Sequence, residues 1–314
     1  MLGSPDTRTP SPFAPTPDLW LAPGVCVETV QLKKPVPQRP RSSHPSELAK
    51  TCHGSRLLQE QVLRMDMRSL QSLVDEVLPA LSELAVDKFG NYFIQAVVKV
   101  GDERILNKIA AIICDDSHKG VSFAELCTHT FASHVVQVLI ARAGESKTVS
   151  ARLVEALTKV APIVGSDFLG SICLVHALRQ LVTASRLAVG IAPYTRQLAM
   201  SRHGHLVVIE ALERASSQTL GAIERELVAD MEAMVESDFG FRVIVHSLEL
   251  EKAGKVSPKH SRVRMFVRNL RYNYNCFRLI DFILRNFCEH EAVQEELIPK
   301  VIDIIQLGHV PDNI

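Results

Sequence analysis

The sequence predicts an all-α protein built as an α-solenoid, and two observations carry this prediction. From residue 47 onward, apolar residues recur at helical spacing, and no run is typical of a β-strand. A short pattern also recurs seven times, at intervals of 36, 42, 38, 34, 36 and 36 residues. A repeat of this length, with two or three helices, cannot bury its apolar face alone. Neighbouring repeats must therefore stack into one continuous core.

Four columns define the repeated pattern. The leading apolar residues are Leu48, Leu84, Leu126, Val164, Leu198, Met234 and Leu270. The small residues that follow are Gly54, Gly90, Ala132, Gly170, Gly204, Gly240 and Cys276. The next apolar residues are Leu58, Ile94, Val136, Leu174, Val208, Ile244 and Ile280. The last are Val62, Val98, Ile140, Leu178, Leu212, Leu248 and Leu284. Unrelated helices would rarely share the same residue types at four matching positions in seven places.

The chain is expected to have two parts. Residues 1–45 hold ten of the sixteen prolines, and such a segment cannot bury enough apolar surface to offset its ordering entropy, which predicts a disordered Pro-rich N-terminal tail. Residues 46–314 form the repeat domain, with inserted loops near 115–120 and 253–260. Residues 291–307 are predicted to form a C-terminal capping helix, because a solenoid needs to close its open end.

Composition limits the class of protein. Lys and Arg together number 35, as do Asp and Glu, so a formal net charge of zero indicates no bulk electrostatic partner. The seven cysteines form no CxxC pair and suit reduced thiols. We expect a soluble intracellular protein, since we find no signal peptide and no apolar run of about 18 residues. No nucleotide-binding or nucleophile motif occurs, so we expect no enzyme, cofactor or metal.

Polar side chains occupy the first, second and fifth positions of the first three motifs. Residues one and five lie one helical turn apart on one face, with the second about 100° round from the first. A glutamine amide offers a donor and an acceptor, and a Tyr, His or Arg plane can stack on a base. The three motifs are Ser55-Arg56-x-x-Gln59, Asn91-Tyr92-x-x-Gln95 and Ser133-His134-x-x-Gln137.

These motifs, at a period near 36, resemble the Pumilio (PUF) RNA-binding repeats over residues 46–290. The resemblance implies a right-handed superhelix of about seven three-helix repeats, crescent-shaped, whose concave face binds single-stranded RNA at one base per repeat. It implies that the RNA runs antiparallel to the repeats. It further implies that Asn91, Tyr92 and Gln95 recognise uracil. Ser55, Arg56 and Gln59 resemble an adenine reader, and Ser133, His134 and Gln137 suit adenine or uracil.

The four later motifs depart from this pattern. Their first, second and fifth residues are Ser171, Ile172, Val175; His205, Leu206, Ile209; Phe241, Arg242, Val245; and Phe277, Arg278, Asp281. Val and Ile cannot hydrogen-bond a base edge. Arg242 and Arg278 are expected to stack on bases or contact phosphates. For Phe241 and Phe277, core packing is favoured over stacking.

A basic cluster lies between the sixth and seventh motifs. It could be a row of phosphate contacts or an ordinary solvated helix face, and the sequence favours neither. Its members are Lys252, Lys255, Lys259, Arg262, Arg264, Arg268 and Arg271.

Two classes of function follow. The first is a monomeric single-stranded RNA-binding protein that regulates mRNA stability or translation in the cytoplasm, with protein effectors on the convex face. Its alternative is a PUF-like nucleolar factor that acts on pre-rRNA in ribosome biogenesis. The second class is a protein-binding α-solenoid scaffold without sequence-specific RNA binding, in which Ile172, Leu206 and Ile209 contact a partner. A random-pool RNA selection distinguishes the three.

Overall fold

The computed structural model describes residues 44–115, 120–254, 261–270 and 276–306. The chain divides into two units, Met1–Pro37 and Gln38–Ile314, and every described residue lies in the second. The predicted Pro-rich tail lies outside the described residues, apart from its last two positions. The predicted loop near 115–120 is described only at its two ends, and the loop near 253–260 only at its first two residues.

Within these ranges the secondary structure is helical and contains no strand. The α-helices are α1 (Pro45–Ala49), α2 (Cys52–Val62), α3 (Met67–Val77), α4 (Leu81–Val86), α5 (Gly90–Val100), α6 (Glu103–Ile113), α7 (Phe123–Thr128), α8 (Ala132–Ala143), α9 (Lys147–Val164), α10 (Phe168–Gln180), α11 (Ala184–Ile191), α12 (Thr195–Ala199), α13 (Gly204–Arg214), α14 (Ser217–Ala229), α15 (Met231–Glu236), α16 (Asp238–Lys252), α17 (Arg262–Asn269), α18 (Phe277–Phe287) and α19 (Ile298–Gln306).

Each copy of the sequence pattern forms one structural repeat around one long helix. These seven helices, α2, α5, α8, α10, α13, α16 and α18, are called motif helices 1 to 7. From the first to the sixth, each motif helix packs against the next, which builds a solenoid. A short helix precedes the motif helix in repeats 1, 2, 3, 5 and 6. Repeat 4 has none, because α9 continues through to the leading residue Val164.

Proline accounts for part of this difference. Leu78–Ala80 and Ala192–Tyr194 are 3₁₀ turns with a proline near their start, and each separates the third helix of one repeat from the short helix of the next. Pro162 instead lies inside α9, and the helix continues past it.

The leading and small columns are in direct contact. A Cβ added to Gly90 would lie 2.8 Å from the backbone oxygen of Leu84, and one added to Gly204 would lie 2.6 Å from that of Leu198. Real Cβ atoms do not approach an oxygen this closely. Where this column holds a glycine, the motif helix begins against the backbone of the leading residue, which explains why a small residue follows the leading residue by six positions.

The two remaining columns form the core. Leu58, Ile94, Leu174, Val208 and Ile244 are fully buried. The column four residues further on is buried from Val62 to Leu248 and half-buried at Leu284. One apolar cluster runs through the described repeats. The predicted all-α solenoid is confirmed.

The chain continues as helix after motif helix 7. Val293–Leu297 form a π-helical turn, and α19 follows it directly. Val293 and Leu297 are buried, whereas Ile302 and Ile305 on α19 are exposed. These elements lie within the range predicted for the capping helix, whose last residue, 307, is outside the described residues. The domain boundaries stay predictions.

Candidate nucleic-acid interface

The motif helices present their second and fifth positions on one accessible face. Arg56, Tyr92, Leu206, Arg242 and Arg278 are exposed second-position residues, and the fifth positions of motif helices 1 to 6 are half-buried. Residues three apart on a helix are neighbours, so each repeat offers one such pair. The first-position residues behave differently, since Ser55, Asn91, Ser133, Ser171 and His205 are buried.

In repeat 1 the buried serine holds the glutamine. The Oγ of Ser55 donates to the backbone oxygen of Phe89 in the next repeat at 2.7 Å, and it accepts a bond from Nε2 of Gln59 at 3.0 Å. Ser55 is 2% exposed, so it fixes the amide of Gln59 rather than lying open to a ligand. Arg56 is exposed beside it.

Repeat 2 uses a longer first residue for the same purpose. Nδ2 of Asn91 donates to the backbone oxygen of Asp87 at 2.8 Å, and Oδ1 of Asn91 accepts from Nε2 of Gln95 at 2.9 Å. The carboxylate of Asp87 accepts from the backbone N–H groups of Phe89 and Gly90 at the start of the helix. Tyr92 is 53% exposed. The ring and the amide therefore project from a helix whose first turn is firmly held.

Repeat 3 resembles the first two less closely. Ser133 is buried, and its Oγ has no hydrogen-bond partner among the described residues. His134 and Gln137 are half-buried, and the structure assigns Gln137 no bond to Ser133. Gln137 therefore lacks the restraint that holds the glutamines of repeats 1 and 2.

Repeats 4 and 5 replace the glutamines with apolar residues. Ile172 and Val175 on motif helix 4 are half-buried, and so is Ile209 on motif helix 5. Leu206 is 49% exposed. The accessible face is apolar here and offers no amide to a base.

The first position of repeat 5 is a buried histidine. His205 stacks on Phe239 with ring centroids 5.1 Å apart, and its Nδ1 lies 3.2 Å from the backbone oxygen of Ser201. Burial lowers the pKa of His205 below its usual value, and the nearby Arg242 and His203 act in the same direction against the bond to Ser201. The neutral imidazole is therefore the favoured form at neutral pH.

Repeats 6 and 7 place two arginines on the accessible face. Arg242 is exposed. The guanidinium of Arg278 lies over the ring of Phe241, 4.0 Å from its centroid, and bonds to Asp238 at 2.8 Å. Phe241 also packs edge-on against Phe282 at 6.2 Å. Phe241 and Phe277 are half-buried and pack against the core, whereas Arg278 still exposes about half of its side chain at 49%.

Three arginines of the basic cluster form ion pairs where the cluster is described. Arg262 is 2% exposed, bonds through Nε to Glu224 at 2.7 Å, and donates to the backbone oxygen of Ser247 at 2.7 Å. Arg264 and Arg268 both pair with Glu296. Carboxylates from other parts of the chain thus pair with all three arginines, and the choice between the two alternatives stays open. Lys255, Lys259 and Arg271 lie outside the described residues.

The sequence interpretation missed one charged cluster. Glu210 on motif helix 5 is 5% exposed, and its two oxygens accept from Nε of Arg179 at 2.7 Å and Nε of Arg214 at 3.2 Å. Arg179 comes from motif helix 4, so the pairing joins two repeats. A glutamate in the residue after the fifth position, inside an otherwise apolar stretch, was the available signal.

Other kinds of site receive no support within the described ranges. No group of three or more His, Cys, Asp or Glu side chains there could hold a metal ion. No described helix is long and apolar enough to cross a membrane.

The fold and this face define a class of protein, the helical-repeat solenoids that present paired side chains from one helix per repeat. A family model described as the Pumilio-family RNA binding repeat matches residues 46–78, 81–114, 122–147 and 194–228, which fall in repeats 1, 2, 3 and 5. Four repeats of the chain thus match the Pumilio-family RNA binding repeat, over somewhat less than half of its residues.

Relatives and solved structures agree with this match. Pumilio homolog 12 of Arabidopsis thaliana is 22% identical over 207 residues, covering 65% of this chain and 34% of that protein. Pumilio homolog 11 of the same plant is 22% identical over 274 residues, covering 84% and 46%. The chain thus spans less than half the length of these curated relatives.

Similarity to solved structures concerns the fold. The chain is similar to a Puf4 RNA binding domain bound to the HO endonuclease RNA 3′ UTR recognition sequence, with a TM-score of 0.65, 20% identity and coverage of 86% and 81%. It is also similar to the PUM-HD domain of S. pombe Puf1 in complex with RNA, with a TM-score of 0.64, 15% identity and coverage of 79% and 66%.

Proposed function

We propose that this chain binds single-stranded RNA and recognises bases with motif helices 1 to 3. One observation carries the proposal: in repeats 1 and 2 a buried side chain fixes the amide of an accessible glutamine beside an exposed planar side chain. Gln59 and Gln95 each use one amide N–H internally. Each glutamine keeps its other N–H and its carbonyl oxygen for a ligand.

That pair of groups suits a base edge. Uracil presents a donor between two acceptors, and adenine presents a donor beside an acceptor, so either can bond to a fixed amide. The planes of Arg56 and Tyr92 can stack on the base, which contributes about 1–3 kcal/mol per base in single-strand-binding proteins. The match to the Pumilio-family RNA binding repeat supports the same function, as do the similar structures, whose domains are bound to RNA.

The proposed cellular role is control of mRNA stability or translation in the cytoplasm by a monomer that carries effectors on the face opposite the motif helices. The alternative is a nucleolar role on pre-rRNA. We assign the chain no catalytic step. Both roles rest on the same interface and differ in the target RNA.

A protein-binding scaffold is the second candidate, and one observation favours it. At repeats 4 and 5 the accessible face carries apolar side chains in place of glutamine amides. Leu206 is half exposed there, beside Ile172, Val175 and Ile209. Such residues are common at protein interfaces and cannot recognise a base edge.

Random-pool selection with the full chain tests these candidates. The RNA-binding proposal predicts an enriched motif containing 5′-UA-3′ near its 3′ end, because the resemblance implies antiparallel RNA with uracil at repeat 2 and adenine at repeat 1. Enrichment of structured RNA without a motif supports the pre-rRNA role. A pool that never rises above the background of a denatured-protein control contradicts RNA binding and favours the scaffold.

A further inference from the structure

Two arginines meet on one buried carboxylate at the C-terminal ends of motif helices 4 and 5. The two oxygens of Glu210 accept from Nε of Arg179 and Nε of Arg214, while the arginine side chains remain 51% and 45% exposed. The carboxylate thus holds two guanidinium groups of neighbouring repeats side by side at the surface. We call these three residues the arginine pair site.

Glu210 is paired with two arginines, which is one more than a buried carboxylate requires. A buried carboxylate needs a partner, and one arginine can provide both charge and hydrogen bonds. The second arginine leaves the group with a surplus positive charge. Both arginines bond to Glu210 through Nε, and no described residue bonds to their terminal nitrogens. Those nitrogens are the donors that bind phosphate oxygens in pairs.

The nearest other titratable side chains on motif helices 4 and 5 do not pair with the two arginines. Glu213, one turn beyond Glu210, pairs with His246 at 3.2 Å and makes no ion pair with either arginine among the described residues. His176, one turn before Arg179, is half-buried. Burial, with a smaller effect from Arg179, lowers the pKa of His176, so this imidazole adds little charge at neutral pH.

Basic residues also recur at this end of the other motif helices. Those in the last turns are Lys99, Arg142, Arg179, Arg214, Lys252 and Arg285. A basic residue in the last turn stabilises any helix by opposing its dipole, so the row alone indicates no ligand. The arginine pair site differs from the rest of the row because two guanidinium groups converge with their outer donors unused.

We infer that Arg179 and Arg214 bind a phosphodiester of the RNA backbone where it crosses repeats 4 and 5. The inference rests on the proposed function and extends it to repeats that lack edge-binding amides. Repeats 1 to 3 then select bases, and the arginine pair site holds the strand without reading its sequence. Glu210 is a positioning residue that orients the two donors.

The first test removes one charge at a time from the full chain. Arg179→Gln and Arg214→Gln each leave Glu210 one partner, and each should weaken binding to an RNA with a 3′-terminal UA by about tenfold at low salt. The slope of log affinity against log salt should fall by up to about 0.7 in either variant, because the pair binds one phosphate, without change in the preference for UA. Arg196→Gln is the matched control. Arg196 is 54% exposed and pairs with Asp230 on helices outside the motif set.

Glu210→Gln separates ligand binding from structural support. This variant keeps both positive charges and loses the buried carboxylate, so the salt slope should be at least as steep as in the native chain. If the three residues only join two repeats, RNA affinity should instead follow thermal stability in all three variants, and none of them should change the salt slope. That result overturns the inference.

A methylphosphonate scan locates the contact. Neutralising one phosphate at a time should weaken binding of the native chain at the linkage between the fourth and fifth nucleotides from the 3′ adenosine. The same modification should cost Arg179→Gln and Arg214→Gln little further affinity. Equal losses in native and variant chains contradict the inference while leaving base recognition by repeats 1 to 3 intact. Absence of RNA binding by the native chain contradicts the proposed function itself.

Discussion

Repeats 1 and 2 and repeats 4 and 5 share one scaffold and differ in what they expose. Leu58, Ile94, Leu174 and Val208 occupy the same buried position in the four repeats. On the accessible face, the fifth position is a fixed glutamine in the first pair and an aliphatic residue in the second. The buried apolar position therefore determines only that the repeats stack on one another. The capacity to bind a base depends on the few side chains on the accessible face.

The two regions also differ in how charge is used. The accessible residues of repeats 1 and 2 make neutral hydrogen bonds within their own motif. From repeat 4 onward, charged side chains join one repeat to another, as in Arg179 with Glu210 and Arg262 with Glu224. Ion pairs also join the N-terminal repeats, Lys50 with Glu83 and Lys108 with Asp75, but their carboxylates are exposed, whereas Glu210 and Glu224 are buried. The predictions below test this contrast, beginning with the largest expected effect.

Arg262→Ala should destabilise the chain by about 3–5 kcal/mol, because it removes a buried guanidinium that pairs with the nearly buried carboxylate of Glu224 and bonds to the backbone oxygen of Ser247. Urea denaturation measures the change. Arg268→Ala is the control, since Arg268 pairs with Glu296 at the surface and its loss should change stability little. Equal costs for the two variants would contradict a special role for buried charge in the C-terminal repeats.

The double variant Asn91→Ser, Gln95→Glu should move the preference at one base from uracil towards guanine by about 1–3 kcal/mol. The new carboxylate can accept from the N1–H and N2–H groups of guanine, and Tyr92 keeps a plane for stacking. Tyr92→Ala should instead weaken binding to every RNA by a similar amount. Binding to 5′-UA-3′ and 5′-GA-3′ oligomers measures both. Loss of affinity without any gain of G over U would show that these residues do not contact a base edge.

Transferring the repeat 1 motif to repeat 4 should reduce the difference between the regions. Ser171 is already buried at the first position, so Ile172→Arg with Val175→Gln rebuilds the set formed by Ser55, Arg56 and Gln59. We expect a new preference for adenine at the fourth base from the 3′ end, worth about 1 kcal/mol. Ile172→Arg alone is the control, because it adds charge without an amide. A general rise in affinity for all sequences in both variants would mean that only charge was gained.

The smallest expected effect is a pH dependence of stability. It should come from the buried histidine at the first position of repeat 5 and not from the neutral hydrogen bonds of repeat 2. The pKa of His205 is lower in the folded chain than in the unfolded chain, so the unfolded chain binds more protons below a pH of about 6.5. The free energy of unfolding should therefore decrease as pH falls from 7 to 5.5. His205→Gln should weaken this dependence, as measured by thermal unfolding across the range. Asn91→Ser should leave the dependence unchanged.

Much of the fold could be predicted from the sequence because the repeat is a local periodic property. Gly90 marks a close approach to the backbone of Leu84, and Ile94 and Val98 mark a buried face. These positions recur at a spacing that needs no knowledge of neighbours. The pairing of Asn91 with Gln95 was similarly accessible, since residues one helical turn apart must meet.

Only the tertiary structure determined which charged side chains pair and which buried polar side chains find a partner. Arg262 belongs by sequence to a run of cations, but it is buried against a carboxylate 38 residues earlier in the chain. Arg179 meets Glu210 across 31 residues, between two repeats. Ser133 and Ser55 occupy equivalent positions, yet only Ser55 finds a partner for its hydroxyl in the described repeats. Such outcomes depend on the side chains that a neighbouring repeat brings within about 3 Å, where Coulomb and hydrogen-bond energies are strong. Periodicity fixes which face of a helix is buried, and only packing determines which groups meet there.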